Sequence, residues 1–399
     1  MSPAEYDVAI IGGGPAGATA AYELAKSGAS VLLLDREGRP KPCGGAVPPR
    51  LIEDFAIPSE QIVARVGSAR IISPKSQAVE MTIDGHRRRA GTSYVGMVDR
   101  EHFDRWLRRR AQAAGAHVEQ GTFDRVEERT GGGFALNYRD AKGARVSCRS
   151  RLVIGADGAN SAVRRQMFSP AARPPYVFAY HEIVCSPESG DFDKSRCDVV
   201  YDGAISPDFY GWVFPHGPVT SVGVGSAKKG FDLKAATSEL RRRSGLGDAE
   251  IVRREGAPLP LYPLKRFDNG RGVLLIGDAA GVVAPSSGEG IYYAMCSGEL
   301  AGHAALEALR TNDVRALKSV RSEFGRMHGR TFFILRMMQY FWYSSDGRRE
   351  RFVSMCRDPD VQKLTWESYL DKKIVRREPM AHLRVFLKDM SHLMGIAKA

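Results

Sequence analysis

An apolar run from Tyr6 to Ile11 leads straight into Gly12-Gly13-Gly14-Pro15-Ala16-Gly17, and a helical pattern opens inside that glycine run. A buried strand, a glycine turn and a helix in this order, with Val31–Leu34 as a second apolar strand, make a βαβ unit. Gly12 permits the tight turn, Gly14 lets backbone approach a pyrophosphate, and Gly17 lets helix and strand pack closely. Pro15 and Ala16 complete the run at the helix N-terminus, whose N–H groups and positive dipole end suit phosphate oxygens. Asp35 closes the second strand at the distance at which an acid meets ribose hydroxyls, and Arg36 follows it. A glycine turn without a ligand is the plain alternative, and strand, helix and acid in their right places argue against it.

The rest of the chain is compatible with a core of some size. Its 399 residues suit roughly two domains, and 43% are apolar. No stretch reaches the ~18 uninterrupted apolar residues of a membrane span. The first strand begins so early that no signal or transit peptide is expected. The six cysteines form no Cys-x-x-Cys pair and no zinc spacing, the histidines are scattered, and no metal site is expected. A reducing cytoplasmic setting follows. The formal charge of +12 is spread over Arg87–Arg89, Arg108–Arg110, Arg241–Arg243 and Arg348–Arg351, clusters that belong to no nucleic-acid motif. Solubility, anionic cofactors or a membrane surface account for it better than nucleic acid.

Arg100–Ala114 has helical spacing of Phe103, Trp106 and Leu107. Phe134–Tyr138 and Arg145–Cys148 read as a hairpin closed by Asp140–Gly143, and Leu152–Ile154 as a separate buried strand. The pattern turns strand-like and aromatic from Tyr176 to Gly225. Val273–Ile276 returns to a buried strand, a long helix follows from about Gly288 to Leu309, and the last part reads as helical. Gly131–Gly133 precedes a strand instead of opening a helix, so it is turn chemistry. Thr331–Tyr343 is the most apolar stretch. Its length is short for a span; a buried core helix is the favoured reading, an interfacial surface flanked by Arg326, Arg330, Arg348 and Arg349 the other.

Two later segments carry a resemblance. Leu152-Val153-Ile154-Gly155-Ala156-Asp157-Gly158-Ala159-Asn160-Ser161 resembles the Asp-Gly motif of FAD-dependent hydroxylases and reductases, and Leu275-Ile276-Gly277-Asp278-Ala279-Ala280-Gly281 resembles their second FAD motif. The resemblance implies FAD, with Asp157 and Gly277 at the cofactor and Asp278 on the flavin ribitol chain. Pro285-Ser286-Ser287-Gly288-Glu289-Gly290 then enters the long helix, whose positive end would face the flavin through Gly288 and Gly290. Arg100 matches an arginine that touches the cofactor in that family; an ordinary surface arginine at a helix start is the alternative. No second strand–glycine–helix unit exists, so NADPH must dock without its own Rossmann domain. The lack of Cys-x-x-x-x-Cys near the first helix argues against a disulfide reductase.

Two further motifs narrow the family. Lys41-Pro42-Cys43-Gly44-Gly45-Ala46-Val47-Pro48-Pro49 resembles the Cys-Gly-Gly loop of geranylgeranyl reductases, and Tyr210-Gly211-Trp212-Val213-Phe214-Pro215 their Tyr-x-Trp-x-Phe-Pro motif. Trp366-Glu367-Ser368-Tyr369 and Arg376-Arg377-Glu378-Pro379 look like the chlorophyll and bacteriochlorophyll branch. The family implies NADPH-driven saturation of C=C bonds of a geranylgeranyl chain, as the diphosphate or on a pigment, giving phytyl. An isolated alkene has no carbonyl to take up electron density, so a proton must reach one carbon as hydride reaches the other. That calls for a dry aromatic-lined channel and a positioned proton donor. Tyr210, Trp212, Phe214, Tyr292 and Tyr293 are candidates for the lining, with plain core packing as the alternative. Cys43 either faces the flavin or is a small buried hydrophobe. The lipid-tailed substrate implies peripheral contact with a photosynthetic or inner membrane.

The resulting fold class is α/β. A Rossmann-like FAD-binding domain of the glutathione-reductase type spans residues 1–75, 96–172 and 268–330. An inserted antiparallel-sheet substrate domain spans 76–95 and 173–267, and a helical region spans 331–399. An FAD-dependent aromatic hydroxylase or halogenase, and a non-enzymatic prenyl-binding protein, are the rival functions. A halogenase prefers Trp-x-Trp-x-Ile-Pro where Tyr210–Pro215 stands, and a prenyl chaperone lacks the intact Gly12–Gly17 loop.

Overall fold

The computed structural model describes residues 4–38, 41–83, 94–188 and 190–372. The chain opens with β1 (Ala4–Ile11), α1 (Pro15–Ala25) and β2 (Val31–Asp35). The short elements β3 (Ala46–Val47), α2 (Pro49–Asp54), β4 (Ala64–Val66), β5 (Ser68–Ile72), β6 (Ala78–Thr82) and β7 (Val95–Met97) follow. Then come α3 (Arg100–Ala113), β8 (His117–Glu128), β9 (Phe134–Asp140), β10 (Arg145–Gly155) and α4 (Ala162–Met167). The middle of the chain holds β11 (Tyr176–Cys185), β12 (Arg196–Val200), β13 (Gly211–His216), β14 (Val219–Ser226), α5 (Leu233–Arg243) and β15 (Ile251–Pro260). It closes with β16 (Val273–Leu275), α6 (Ile291–Thr311), α7 (Ser319–Trp342), α8 (Asp346–Met355) and α9 (Pro359–Asp371).

Contacts divide the chain into two units. Unit 1 takes Met1–Lys41, Arg100–Tyr176 and Pro258–Phe333; unit 2 takes Pro42–Asp99, Val177–Ala257 and Ile334–Ala399. Residues 42–75, which the sequence pattern assigns to the FAD-binding part, group with the second unit, because β5 pairs with β12 and β6 in its sheet.

Unit 1 is the α/β part. β1 lies between β2 and β10, all parallel; β8 continues the sheet beyond β2, and β16 beyond β10. Both faces of such a sheet are covered, which is why Val8–Ile11 and Val31–Leu34 are continuous apolar runs rather than alternating ones. β9 pairs antiparallel with the far ends of β8 and β10. The hairpin strand and the separate strand expected at Leu152–Ile154 are thus one long β10, which serves β9 with its first half and β1 with its second. Helix α1 is built of small residues so that α6 can lie against it. A β-carbon at Gly298 would sit 2.3 Å from the Ala16 carbonyl oxygen, and one at Gly302 2.6 Å from Cβ of Glu23.

In unit 2, a seven-stranded sheet has the order β15-β11-β14-β13-β12-β5-β6, mostly antiparallel, with β12 and β5 parallel. Its alternation is legible residue by residue. Val213, Val222, Val224 and Val184 turn to one face and pack with Ala236 and Leu240 of α5. The residues between them, including Trp212, Ser221 and Gly223, turn to the other. A small sheet of β3, β7 and β4 adjoins the Cys43 loop in sequence.

Helix α7 corrects the favoured reading of Thr331–Tyr343 as a buried core helix. Phe333 is 64% and Tyr340 78% exposed, and Ile334 and Met337 are exposed too. Phe332, Trp342 and Tyr343 supply its buried side, so the segment is amphipathic. No helix among the described residues is long and apolar enough to cross a membrane. The clusters at 87–89 and 376–379 lie outside the described residues, as do the side chains of 367 and 368.

Candidate functional site

Unit 1 brings three motif loops to one edge. Ile11, Gly155 and Leu275 are abreast in β1, β10 and β16, so the turns that follow these strands leave the sheet side by side at its carboxyl end. This is where open parallel sheets bind ligands. The glycines divide the work. Gly12 has φ +104°, and a β-carbon there would be 2.4 Å from the Ala156 carbonyl oxygen; one at Gly17 would be 1.9 Å from the Gly12 oxygen. Both are required by packing. Gly14 is different: a β-carbon there would meet just one neighbour, Asp104 Oδ2 at 3.9 Å, so its face is open. It caps α1 without a side-chain hydrogen bond, with Pro15 and Ala16 in the first turn.

Around that opening the polar groups are set by one another. Asp35 Oδ2 accepts from the Gly13 N–H at 2.7 Å, and Oδ1 from the Glu37 N–H at 2.9 Å. Arg108 lies beside it, with Nη1 3.4 Å from the Gly13 carbonyl and 3.8 Å from Asp35 Oδ1. Arg100 is 7% exposed and grips Asp104 with two hydrogen bonds of 2.9 and 2.7 Å, the same carboxylate that borders Gly14. The surface-arginine alternative for Arg100 is therefore excluded. Arg36 is exposed and has no ion pair among the described residues.

The second and third loops are tied together. Asp157 Oδ2 accepts the Ala162 and Val163 N–H groups at 2.6 and 3.1 Å, which holds the start of α4. Its Oδ1 is buried with no hydrogen-bond partner, and burial raises the carboxyl above its ordinary range. Buried Arg164 donates to Ala159 O at 2.6 Å, Ala279 O at 2.9 Å and Tyr176 Oη at 2.8 Å, linking the Asp-Gly loop to the Gly277–Ala280 turn. Gly277 has φ +57°, and a β-carbon there would lie 2.8 Å from Cβ of Ala16, so this turn rests on the start of α1. Asp278 is buried and ion-paired with Lys41. Gly290, the uncapped start of α6, is its neighbour: a β-carbon would be 3.9 Å from Asp278 Oδ1. Gly288, with φ +64°, makes the preceding turn.

These residues fit a flavin dinucleotide. An open glycine face at a helix start suits a pyrophosphate, and two carboxylates at strand ends suit polyol hydroxyls. The orphan oxygen of Asp157 is a buried acceptor of the kind a ligand satisfies.

Unit 2 carries an aromatic row. Tyr210, Trp212, Phe214 and His216 are spaced by two along β13 and its lead-in, which puts them on one face. Trp212 is 6.1 Å from Tyr210 and 6.4 Å from Phe214, ring centre to ring centre. The Cys43 loop lies along this row. A β-carbon at Gly44 would be 3.1 Å from Phe214 Cδ2 and 3.9 Å from Trp212 Nε1, and one at Gly45 2.5 Å from His216 Nε2. Gly45, at φ +70°, also donates its N–H to Cys43 Sγ at 3.3 Å. The His216 Nδ1–H donates to the Phe214 carbonyl at 2.9 Å, and burial pulls its imidazole below the ordinary value. Cys43 is half-buried.

Tyr292 and Tyr293 belong to unit 1, where they are buried against His328, and Tyr293 also against Phe324 and Phe332. Lys41, Arg108, Arg164 and His216 escaped the sequence reading. Lys41 and Arg164 sit inside or just past recognised motifs, which was the available signal. Arg108 reads from sequence as part of a surface cluster, and Arg110 beside it stacks on Tyr22 and Trp106. None of the six cysteines is in a disulfide. No cluster able to hold a metal ion occurs among the described residues.

Comparison with known proteins gives the family and the fold. An FAD binding domain family matches residues 5–173. A geranylgeranyl diphosphate reductase of Rhodobacter capsulatus is 51% identical over 394 residues, covering 98% of each chain. One of Synechocystis sp. is 35% identical over 404 residues, covering 97% of each. Among solved structures, a geranylgeranyl bacteriochlorophyll reductase-like protein from Thermoplasma acidophilum superposes with TM-score 0.80 at 24% identity, over 95% of this chain and 99% of its own. The flavin-dependent brominase Bmp2 superposes with TM-score 0.74 at 19% identity, over 97% and 100%. The last two likenesses bear on the fold.

Proposed function

This chain belongs to the geranylgeranyl diphosphate reductase family, and we propose that it uses NADPH to saturate C=C bonds of a geranylgeranyl chain, giving phytyl. It is an FAD-binding oxidoreductase of the α/β class. Bound FAD supplies two-electron hydride chemistry. Each saturation adds one hydride and one proton to the alkene and turns one NADPH into NADP⁺.

Gly12–Gly17 and the α1 start would hold the pyrophosphate, and Asp278 the ribitol hydroxyls. The Gly290 end of α6, a helix of 21 residues, favours negative charge where the flavin ring is expected. Arg100 and Arg108 keep the Gly14 face rigid through Asp104 and the Gly13 carbonyl.

The observation that carries the substrate assignment is the row Tyr210, Trp212, Phe214 with Gly44 pressed against it. An aromatic wall with no charged side chain in the row suits a polyene, excludes water, and offers ring faces to the positive charge that develops as an alkene is protonated. We assign the thiol of Cys43 to hold the proton for that alkene; Cys43→Ala with unchanged turnover would remove this role. The prenyl chain is carried on a pigment or as the diphosphate. The exposed Phe333, Ile334, Met337 and Tyr340 of α7, with Arg326, Arg330 and Arg336 on the same helix, support peripheral docking on an anionic lipid surface. Loss of vesicle binding in Phe333→Ser/Tyr340→Ser is the expected result.

The deciding experiment is anaerobic. With NADPH and either geranylgeranylated pigment or geranylgeranyl diphosphate, mass spectrometry should show gains of two hydrogens per step. An oxygen requirement would instead mean a hydroxylase or halogenase, and a colourless protein that cannot be reconstituted with FAD a prenyl-binding module.

A further inference from the structure

Beneath the aromatic row runs a buried polar row that the reaction above does not use. His181 of β11, Gly223 of β14 and Trp212 of β13 stand abreast in the sheet. The middle residue has no side chain. A β-carbon at 223 would lie 2.2 Å from Cζ2 of Trp212 and 2.5 Å from Cβ of His181. The two rings therefore converge over bare backbone, their centres 6.2 Å apart. Ser221, two residues earlier on β14 and so on the same face, fills the gap between their polar edges. Trp212 Nε1 donates to Ser221 Oγ at 3.1 Å, and His181 Nδ1 is 2.9 Å from the same oxygen. On the far side His181 Nε2 is 2.9 Å from Glu255 Oε2, and the other Glu255 oxygen is ion-paired with Arg253.

Donor counting orients the whole row. An indole N–H can only donate, so Ser221 Oγ accepts it; with a neutral imidazole its own hydrogen goes to Nδ1 of His181. Nδ1 is then the acceptor, Nε2 carries the hydrogen, and the Glu255 carboxylate receives it. Every donor has an acceptor, and such fully satisfied buried rows specify one arrangement of their members. The Ser-His-Glu order resembles a hydrolytic triad, but Ser221 is 0% exposed and its oxygen already takes the indole N–H, so it has no access to a substrate.

We infer that Glu255, His181 and Ser221 are positioning residues that lock the Trp212 indole in one orientation within the substrate wall. The inference rests on the reading of Trp212 as part of that wall. Trp212 is 6% exposed, and a ring held at both its edge and its face cannot turn aside as the alkene passes. Its face is then preset for the charge that develops in the transition state, an effect on kcat more than on KM.

The test compares His181→Gln with His181→Phe in the flavin-loaded enzyme. Glutamine can accept from Ser221 and donate to Glu255; phenylalanine fills the space and does neither. Expected is a drop in kcat of about ten-fold or more for Phe with KM little changed, and recovery to within about three-fold for Gln. Ser221→Ala serves as a second variant should Phe fail to fold. The second readout is the Trp212 indole ¹⁵N–¹H resonance, identified by its loss in Trp212→Phe. It should shift and exchange faster in the Phe and Ala variants, and stay in place in Gln. An unchanged resonance in His181→Phe and Ser221→Ala overturns the lock, as does equal loss of turnover in Gln and Phe. A shifted resonance together with wild-type turnover in Trp212→Phe overturns the reading of Trp212 as substrate wall and leaves the lock standing.

Discussion

Lys41 is ion-paired with Asp278 across 237 positions of sequence. The lysine is the last residue of the first segment of unit 1, and the carboxylate is the one expected to hold the ribitol chain. Lys41→Met leaves a mostly buried carboxylate without its cation, at a cost of about 2 kcal/mol, below the full buried-pair value because the lysine is partly exposed. Ligand hydroxyls can satisfy the freed oxygen. The melting temperature of the flavin-free variant should therefore fall, and the upward shift on adding FAD should exceed that of the wild type. Asp278→Asn should weaken FAD retention by about ten-fold, read by release on gel filtration.

The three glycines of the first loop should separate under substitution. Gly17→Ala places a methyl group 1.9 Å from a carbonyl oxygen, and Gly12→Ala adds strain at φ +104°; both should give little folded protein. Gly14→Val enters open space and should fold with near-normal melting of the flavin-free form, yet emerge colourless from purification. Circular dichroism and flavin absorbance on the same samples check this.

Arg164 makes three hydrogen bonds that join two loops. Arg164→Met should cost about 3 kcal/mol in denaturant unfolding, because buried acceptors lose charged donors. Arg164→Lys should restore less than half, since an ammonium cannot span three fixed acceptors as a planar guanidinium does. Both variants should bind FAD more weakly.

Buried thiols give the protein an alkaline limit. Burial pushes Cys148 up to about 11 and Cys356 up to about 12, and raises Cys197 as well. The unfolded chain releases these protons near pH 9, while the folded chain keeps them. Stability from this source is whole below that pH and declines as pH rises through the window up to the folded values. Unfolding midpoints should fall between pH 9 and 11. At pH 8, iodoacetamide should label Cys43 and Cys185, which are half-buried, well before the other four cysteines.

The strand, turn and helix around Gly12–Gly17 were legible because their chemistry is local, whereas Asp278 and the Tyr-x-Trp-x-Phe spacing stood out by resemblance to a family. What stayed hidden depends on register. Nothing in the sequence near His181 shows that Gly223 and Trp212 stand beside it, since three strands must first align. Arg108 reads as surface charge until α3 is laid beside Gly13. Thr331–Tyr343 misled because apolar content does not say which side of a helix is covered.

The two units are interleaved in six alternating segments, and this bears on how the polypeptide is made. β1 must pair with β10, and β10 with β16, so the opening strand waits for residue 275 before its sheet is complete. Ribosome-bound intermediates therefore carry an unfinished apolar edge for most of synthesis, a period in which chaperone capture would be expected. For the same reason no single cut in the chain separates one unit from the other.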